Sequence, residues 1–299
     1  MFMYIRDIKY KASEVLVQNK KIFYVLLYIG FINALFQVIS NAFTGLLGSI
    51  ISIIVTVLTV TLTHGAVVAS LKIVNNNYDL IDEKEDSLYG LAHFKELFPT
   101  YFLYEVIVGI ICFIALAIIS LFVFIYYSSS FTSFVSASVS LFSQSNISDL
   151  ILAEYITKFS GIFASLFFGC IIVIIVGTYV SLRLSLFPYI MQKYGYTTKQ
   201  ALKESNRLMK GNVFTLFKLE LSFIPVIISV LILAVFIDII IESILPITVI
   251  ASFLESIIVT YLSVYFYEMK LNVSLAIFYE ELDYEDHIVD VIDEGIENE

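Results

Sequence analysis

Glu255 lies nine residues into an apolar run that begins at Pro246. At the rise of an α-helix this sets it about 13–14 Å below one membrane border, near mid-bilayer. A charged carboxylate at that depth is costly, so it has to be protonated, paired or beside water. Asn33 and Gln37 reach a comparable depth from the other direction, and Thr59, Thr63 and His64 line a further apolar run. Two readings stay open. One is a proton- or cation-coupled site lined by these six residues. The other is a neutral glutamic acid hydrogen-bonded between helices, holding their register.

A second constellation is basic. Lys199, Lys203, Arg207 and Lys210 recur at i, i+4, i+8 and i+11, so a helix there carries one cationic stripe. Ala201, Leu208 and Met209 face elsewhere and are free to rest on lipid or protein. A helix of this kind suits the surface of an anionic leaflet. Gly211 and Asn212 then supply a stop before the chain turns apolar again at Phe214. Catalysis finds little support. His64, His93 and His287 are scattered, and the chain carries no HExxH, nucleophile elbow or phosphate loop. No enzymatic activity, cofactor or metal is expected. Cys112 and Cys170 both sit inside apolar runs and read as small buried side chains.

The elements that must position these residues are membrane spans. Of the 299 residues 59% are hydrophobic and only 15% charged, against about 25% charged in a soluble domain. Six runs reach the length needed to cross hydrocarbon: about 22–40, 50–74, 101–126, 162–188, 214–241 and 246–267. The expected fold class is an all-α integral membrane protein, with a six-span domain over 1–279 and an acidic tail over 280–299. That tail contains ten acids and no Lys or Arg, which equals the net charge of −10. Nucleic acid is therefore not an expected partner; anionic lipid is. Placing both termini inside puts sixteen of the seventeen Lys and Arg on the cytoplasmic side, with only Lys158 outside. Amphipathic helices on that side are expected at residues 3–20, where Ile5, Ile8, Ala12, Val15 and Leu16 share a face, and near 91–96.

Three features complete the reading. Shifting the chain by 192 residues pairs Ser13 with Ser205, Leu16 with Leu208 and Phe31 with Phe223, which suggests repeated units of surface helix plus hairpin. The serine-rich stretch 128–145 reads as a loop or partly ordered cap on the outer side. Pro225 is expected to kink the fifth span. In the tail, Ile288, Val289, Ile292 and Ile296 form an apolar edge. It suits either a short helix docking a basic protein partner or a solvated, disordered end.

The stretch 175–224 resembles the bacterial membrane-protein family catalogued as domain of unknown function 975. The resemblance is carried by Ile175-Val176-Gly177, Leu182-Arg183, Pro188-Tyr189, Ala201, Ser205, Leu208-Met209-Lys210-Gly211-Asn212, Phe217 and Leu221-Ser222-Phe223-Ile224. Ser274, Ala276 and Phe278-Tyr279 match its closing pattern. Pro225 stands where a Gly-Trp pair is usual, and Met269-Lys270 where Pro-Tyr is usual. The family is similar to the membrane domain attached to some glycerophosphodiester phosphodiesterases. The resemblance implies six membrane helices in a bacterial cell membrane and no established activity. A non-enzymatic accessory, scaffold or lipid-organising module is expected first. A small transporter built around Glu255 is the alternative.

Overall fold

The structure is a computed structural model that describes residues 5–143, 149–244 and 248–296. Among them every regular element is helical. Six stretches are long and apolar enough to cross a membrane: Lys21–Asn41, Gly45–Val74, Phe94–Tyr126, Ser160–Tyr194, Val213–Ile241 and Ile250–Glu285. The protein is a multi-pass membrane protein. Its large apolar side chains face outward, as at Ile228, Leu231, Ile232, Val235 and Phe236. In water such a surface is an aggregation hazard; in lipid it is the matched solvent.

Two compact units divide the chain, one formed by 1–103 with 182–299 and the other by 104–181. The first begins with α1 (Ile5–Gln18), α2 (Lys21–Asn41), α3 (Gly45–Leu62), α4 (His64–Val74) and α5 (Glu83–Ala92), and takes in the start of α6 (Phe94–Tyr126). The second holds the rest of α6, α7 (Ser128–Phe142), α8 (Asp149–Lys158) and most of α9 (Ser160–Leu184). The chain then returns to the first unit through α10 (Phe187–Tyr194), α11 (Thr198–Leu208), α12 (Val213–Leu221), α13 (Ile224–Ile244), α14 (Thr248–Ser263) and α15 (Met269–Ile296).

Several spans of the first unit are broken. Thr63 separates α3 from α4, and Ser185 and Leu186 separate α9 from α10. A π turn, Val264–Glu268, joins α14 to α15. Short helices pack against the broken spans. α5 packs on α3 and α4, α11 on α10, and α1 on α15. The pairing is cyclic, because the first short helix packs on the last span. We call α1, α5 and α11, which pack on α15, on α4 with α2, and on α10 respectively, the collar.

The residue pattern explains the collar. α1 buries Ile8 and Ala12, four apart, and leaves Arg6, Tyr10 and Lys11 outside. α11 buries Ala201, Leu202, Ser205 and Leu208, again one stripe at helical spacing. α5 is set by Asp82, whose side chain accepts from the Lys84 and Glu85 amides and so fixes the helix start. The 192-residue shift carries Lys21, first in α2, onto Val213, first in α12. It also brings Ile5 to within one residue of Thr198.

The serine-rich stretch differs from a loop. Over Ser128–Phe142 it is helix α7. Ser136, Ser138 and Ser140 return their hydroxyls to the carbonyls of Ser133, Phe134 and Ala137, so no water is needed to satisfy them. Phe134 packs with Tyr155, Phe159 and Phe163 in the core of the second unit. Pro225 also acts differently from an interior kink. It falls in the first turn of α13, just after the Ser222–Phe223 break, where a missing N–H is harmless. The tail backbone is helical to Ile296. The side chains of Ile288, Val289, Ile292 and Ile296, and the start of the sixth run at Pro246, lie outside the described residues.

Candidate functional site

Each helix break exposes backbone groups that need partners in a medium without water. At the α9–α10 break the partner is Ser205 of α11. Its Oγ accepts from the Leu186 amide at 3.1 Å and donates to the Arg183 carbonyl at 3.2 Å. Arg183 Nη2 in turn donates to the Asn206 carbonyl at 3.1 Å. Two residues on, Pro188 opens α10, and Tyr189 lies buried with its ring stacked on Tyr279 of α15. Gly211 turns the chain with φ +88°, and Asn212 Nδ2 donates to the Leu208 carbonyl, closing α11. The family-type residues Arg183, Pro188, Tyr189, Ser205, Gly211 and Asn212 thus form one structural joint.

The same logic recurs at Ser222. Val226 donates to Phe223, which leaves the Ser222 carbonyl without a helical partner. Lys9 of α1 fills the gap, donating to the Ser222 carbonyl and to its Oγ, both at 3.2 Å. Its ammonium also stands 4.2 Å from the centre of the Phe223 ring. Burial, and then the nearby Lys270 charge, hold Lys9 below the ordinary lysine value.

At the α3–α4 break, contact is backbone to backbone. A Cβ on Gly90 of α5 would stand 1.8 Å from the Thr61 carbonyl oxygen, and one on Gly65 would stand 2.3 Å from that of Asp86. Only glycine permits this approach. Asp86, almost wholly buried, pairs with Lys72 at 2.6 Å.

Where α4, α10 and α15 meet, charge is internally matched. Lys193 of α10 pairs with Glu280 and Asp283 of α15. Tyr194 donates to Asp283, and Asn75 at the end of α4 donates to Glu280. Glu281 pairs with Lys11 of α1. The first acids of the tail are therefore spent on the body of the protein.

The intramembrane candidates separate. His64 is fully buried and joins Tyr101 Oη through Nδ1 at 3.0 Å and Gln192 Oε1 through Nε2 at 3.2 Å. Since the amide oxygen only accepts, Nε2 carries the proton and Nδ1 accepts from the tyrosine. Tyr89 stacks on the same ring. Thr63 is exposed and donates to the Val60 carbonyl; Thr59 is partly buried. Asn33 is half-buried, with an Oδ1 that has no hydrogen-bond partner, whereas Gln37 is exposed. Glu255 is partly buried on α14, which packs between α2 and α13. It is turned about 40° from buried Ala251 and about 140° from Thr260. Because Thr260 is the residue that meets Gly30 of α2, Glu255 is directed away from the helix that carries Asn33 and Gln37.

The basic stripe stays together. Lys199, Lys203 and Arg207 are exposed along α11 and Lys210 just past its end, and Arg207 is paired with Glu204. Lys218 and the exposed ring of Phe214 extend it, the ammonium 4.2 Å from the ring centre. The apolar face of this helix rests on protein, so what α11 offers outward is charge.

Sequence reasoning missed Tyr101, Gln192, Lys193, Glu280 and Asp283 as members of these networks. The available signal was the polar pair Gln192-Lys193 closing an otherwise apolar run.

The fold and its joints define a polytopic helical membrane protein whose spans are broken at one end and braced there by a helical collar. The chain belongs to the family described as "Protein of unknown function (DUF975)", whose model matches residues 3–285. The match takes in the acids that pair with Lys11 and Lys193 and ends at residue 285. No curated protein and no solved structure matches the chain.

Proposed function

We propose that this protein is a non-enzymatic membrane module of a bacterial cytoplasmic membrane, holding anionic lipid against its collar and serving as an accessory or scaffold subunit. The observation that carries the reading is α11. Its apolar face is consumed by packing, while Lys199, Lys203 and Lys210 face outward without a carboxylate partner among the described ion pairs. The distribution of Lys and Arg favours a cytoplasmic collar with both termini inside. Each cation near an anionic leaflet is worth about 1 kcal/mol. Replacing Lys199, Lys203 and Lys210 together by Gln therefore weakens binding of phosphatidylglycerol by about 100-fold in low salt. Native mass spectrometry of the full chain with added phosphatidylglycerol reads this directly; unchanged retention in the triple variant contradicts the proposal. The tail beyond Glu285 is the segment left for a basic protein partner.

A second reading, a small proton- or cation-coupled transporter, rests on two separate intramembrane groups, the buried, unpartnered Oδ1 of Asn33 on α2 and Glu255 on another face of α14. It predicts that Glu255→Gln abolishes proton- or cation-driven uptake in proteoliposomes while leaving lipid retention intact.

A further inference from the structure

Where α2 enters the membrane it forms a groove with the segment leading into α5. The cavity measures about 350 Å³ and is lined by Lys21, Tyr28, Ile81, Asp82, Glu83 and Lys84. We propose that this groove seats the headgroup of a phospholipid that carries a primary ammonium, the ethanolamine class.

The charges in the lining are balanced, two ammonium groups against two carboxylates, which suits a zwitterion better than a net anion. Lys21 is held in place by the carbonyls of Tyr78 and Ile81, both at 3.3 Å. That uses two of its three N–H groups and leaves the third for a phosphodiester oxygen, with Lys84 beside it. Asp82 receives the Lys84 and Glu85 amides on Oδ1 alone. Its Oδ2 and the Glu83 carboxylate remain as acceptors for an ammonium. The same backbone donors, the Glu85 amide first, keep Asp82 below the usual carboxylate range, so it is charged at neutral pH.

A second observation says that the occupant is a lipid and not a soluble zwitterion. Lys21, Tyr24, Tyr28, Phe31 and Leu35 follow at spacings of three and four along one face of α2. The four beyond Lys21 are all large, apolar or aromatic, and exposed. An acyl chain leaving the groove has a continuous track along this face, and the amphipathic rings of Tyr24 and Tyr28 suit an interfacial setting. The inference shares the lipid-binding premise of the proposed function but uses none of the α11 lysines, so the two fail separately.

The test is competition for the purified full-length protein among phospholipids with identical acyl chains and increasing N-methylation, from ethanolamine to choline, read by native mass spectrometry. N-methylation keeps the charge and removes donors. The expected result is a stepwise loss of retention, at least about tenfold from ethanolamine to choline, consistent with two charge-assisted hydrogen bonds. Glu83→Gln is expected to reduce that preference several-fold, Asp82 remaining as the other acceptor, while phosphatidylglycerol retention and melting temperature stay unchanged. Lys84→Gln is expected to weaken both headgroups equally. Equal retention of ethanolamine and choline lipids by the parent protein overturns the proposal, as does an undiminished preference in Glu83→Gln. If the ethanolamine preference persists while the α11 triple variant still retains phosphatidylglycerol, the groove stands and the stripe reading falls.

Discussion

Ser205 shows how a single hydroxyl can hold a membrane helix pair together. It satisfies an amide on one side of the α9–α10 break and a carbonyl on the other. Ser205→Ala leaves both without that partner in a dry site, an expected loss of about 1–3 kcal/mol. Thermal unfolding in mild detergent measures it, and a change under about 0.5 kcal/mol, the range of an ordinary surface substitution, contradicts the role. The sequence marked Arg183 through family resemblance, Ser205 through that and the 192-residue echo, and Gly211 also as a helix stop; what Arg183 and Ser205 do needed the fold, because their partners are backbone atoms about twenty residues away. His64 taught the opposite lesson. Helical spacing groups it with Thr59 and Thr63, yet the helix breaks at Thr63 and the ring turns to Tyr101 and Gln192. Nothing in the local pattern except Gly65 hints at that break.

At the scale of elements, the three short helices α1, α5 and α11 act as braces. Two of them, α1 and α11, were legible from their amphipathic spacing, because an apolar stripe must be buried wherever the helix lies. The third was misplaced toward residues 91–96, since its start depends on the Asp82 cap more than on hydrophobic pattern. α7 was illegible for a related reason. Serine composition resembles a loop until the hydroxyls bond back to their own helix. The bracing makes a paired prediction. Gly90→Ala drives a Cβ into the Thr61 carbonyl and is expected to destabilise by about 1–3 kcal/mol. Gly109→Ala, also helical but with nothing within 4 Å, is expected to be neutral or to stabilise by up to about 1 kcal/mol. Melting temperatures of the two variants side by side decide it; equal behaviour contradicts the close packing of α5 on the α3–α4 break.

Two kinds of surface chemistry occur in the molecule. Its flanks are apolar and suit hydrocarbon, and its collar carries the exposed basic stripe of α11 beside an acidic tail whose first turns are neutralised by Lys11 and Lys193. Composition alone was enough to read six spans, because runs this long and apolar have no other stable setting. The breaks in those spans were not readable, since a broken and an intact helix of the same residues are equally hydrophobic. The central claim is that the collar selects anionic lipid. The most direct measurement is the composition of phospholipid co-purifying with the protein from its own membranes, compared with the bulk membrane. The account predicts anionic phospholipid enriched over bulk in the parent protein and at bulk level in the Lys199→Gln, Lys203→Gln, Lys210→Gln variant. A co-purifying pool that mirrors the bulk membrane in both proteins would contradict it.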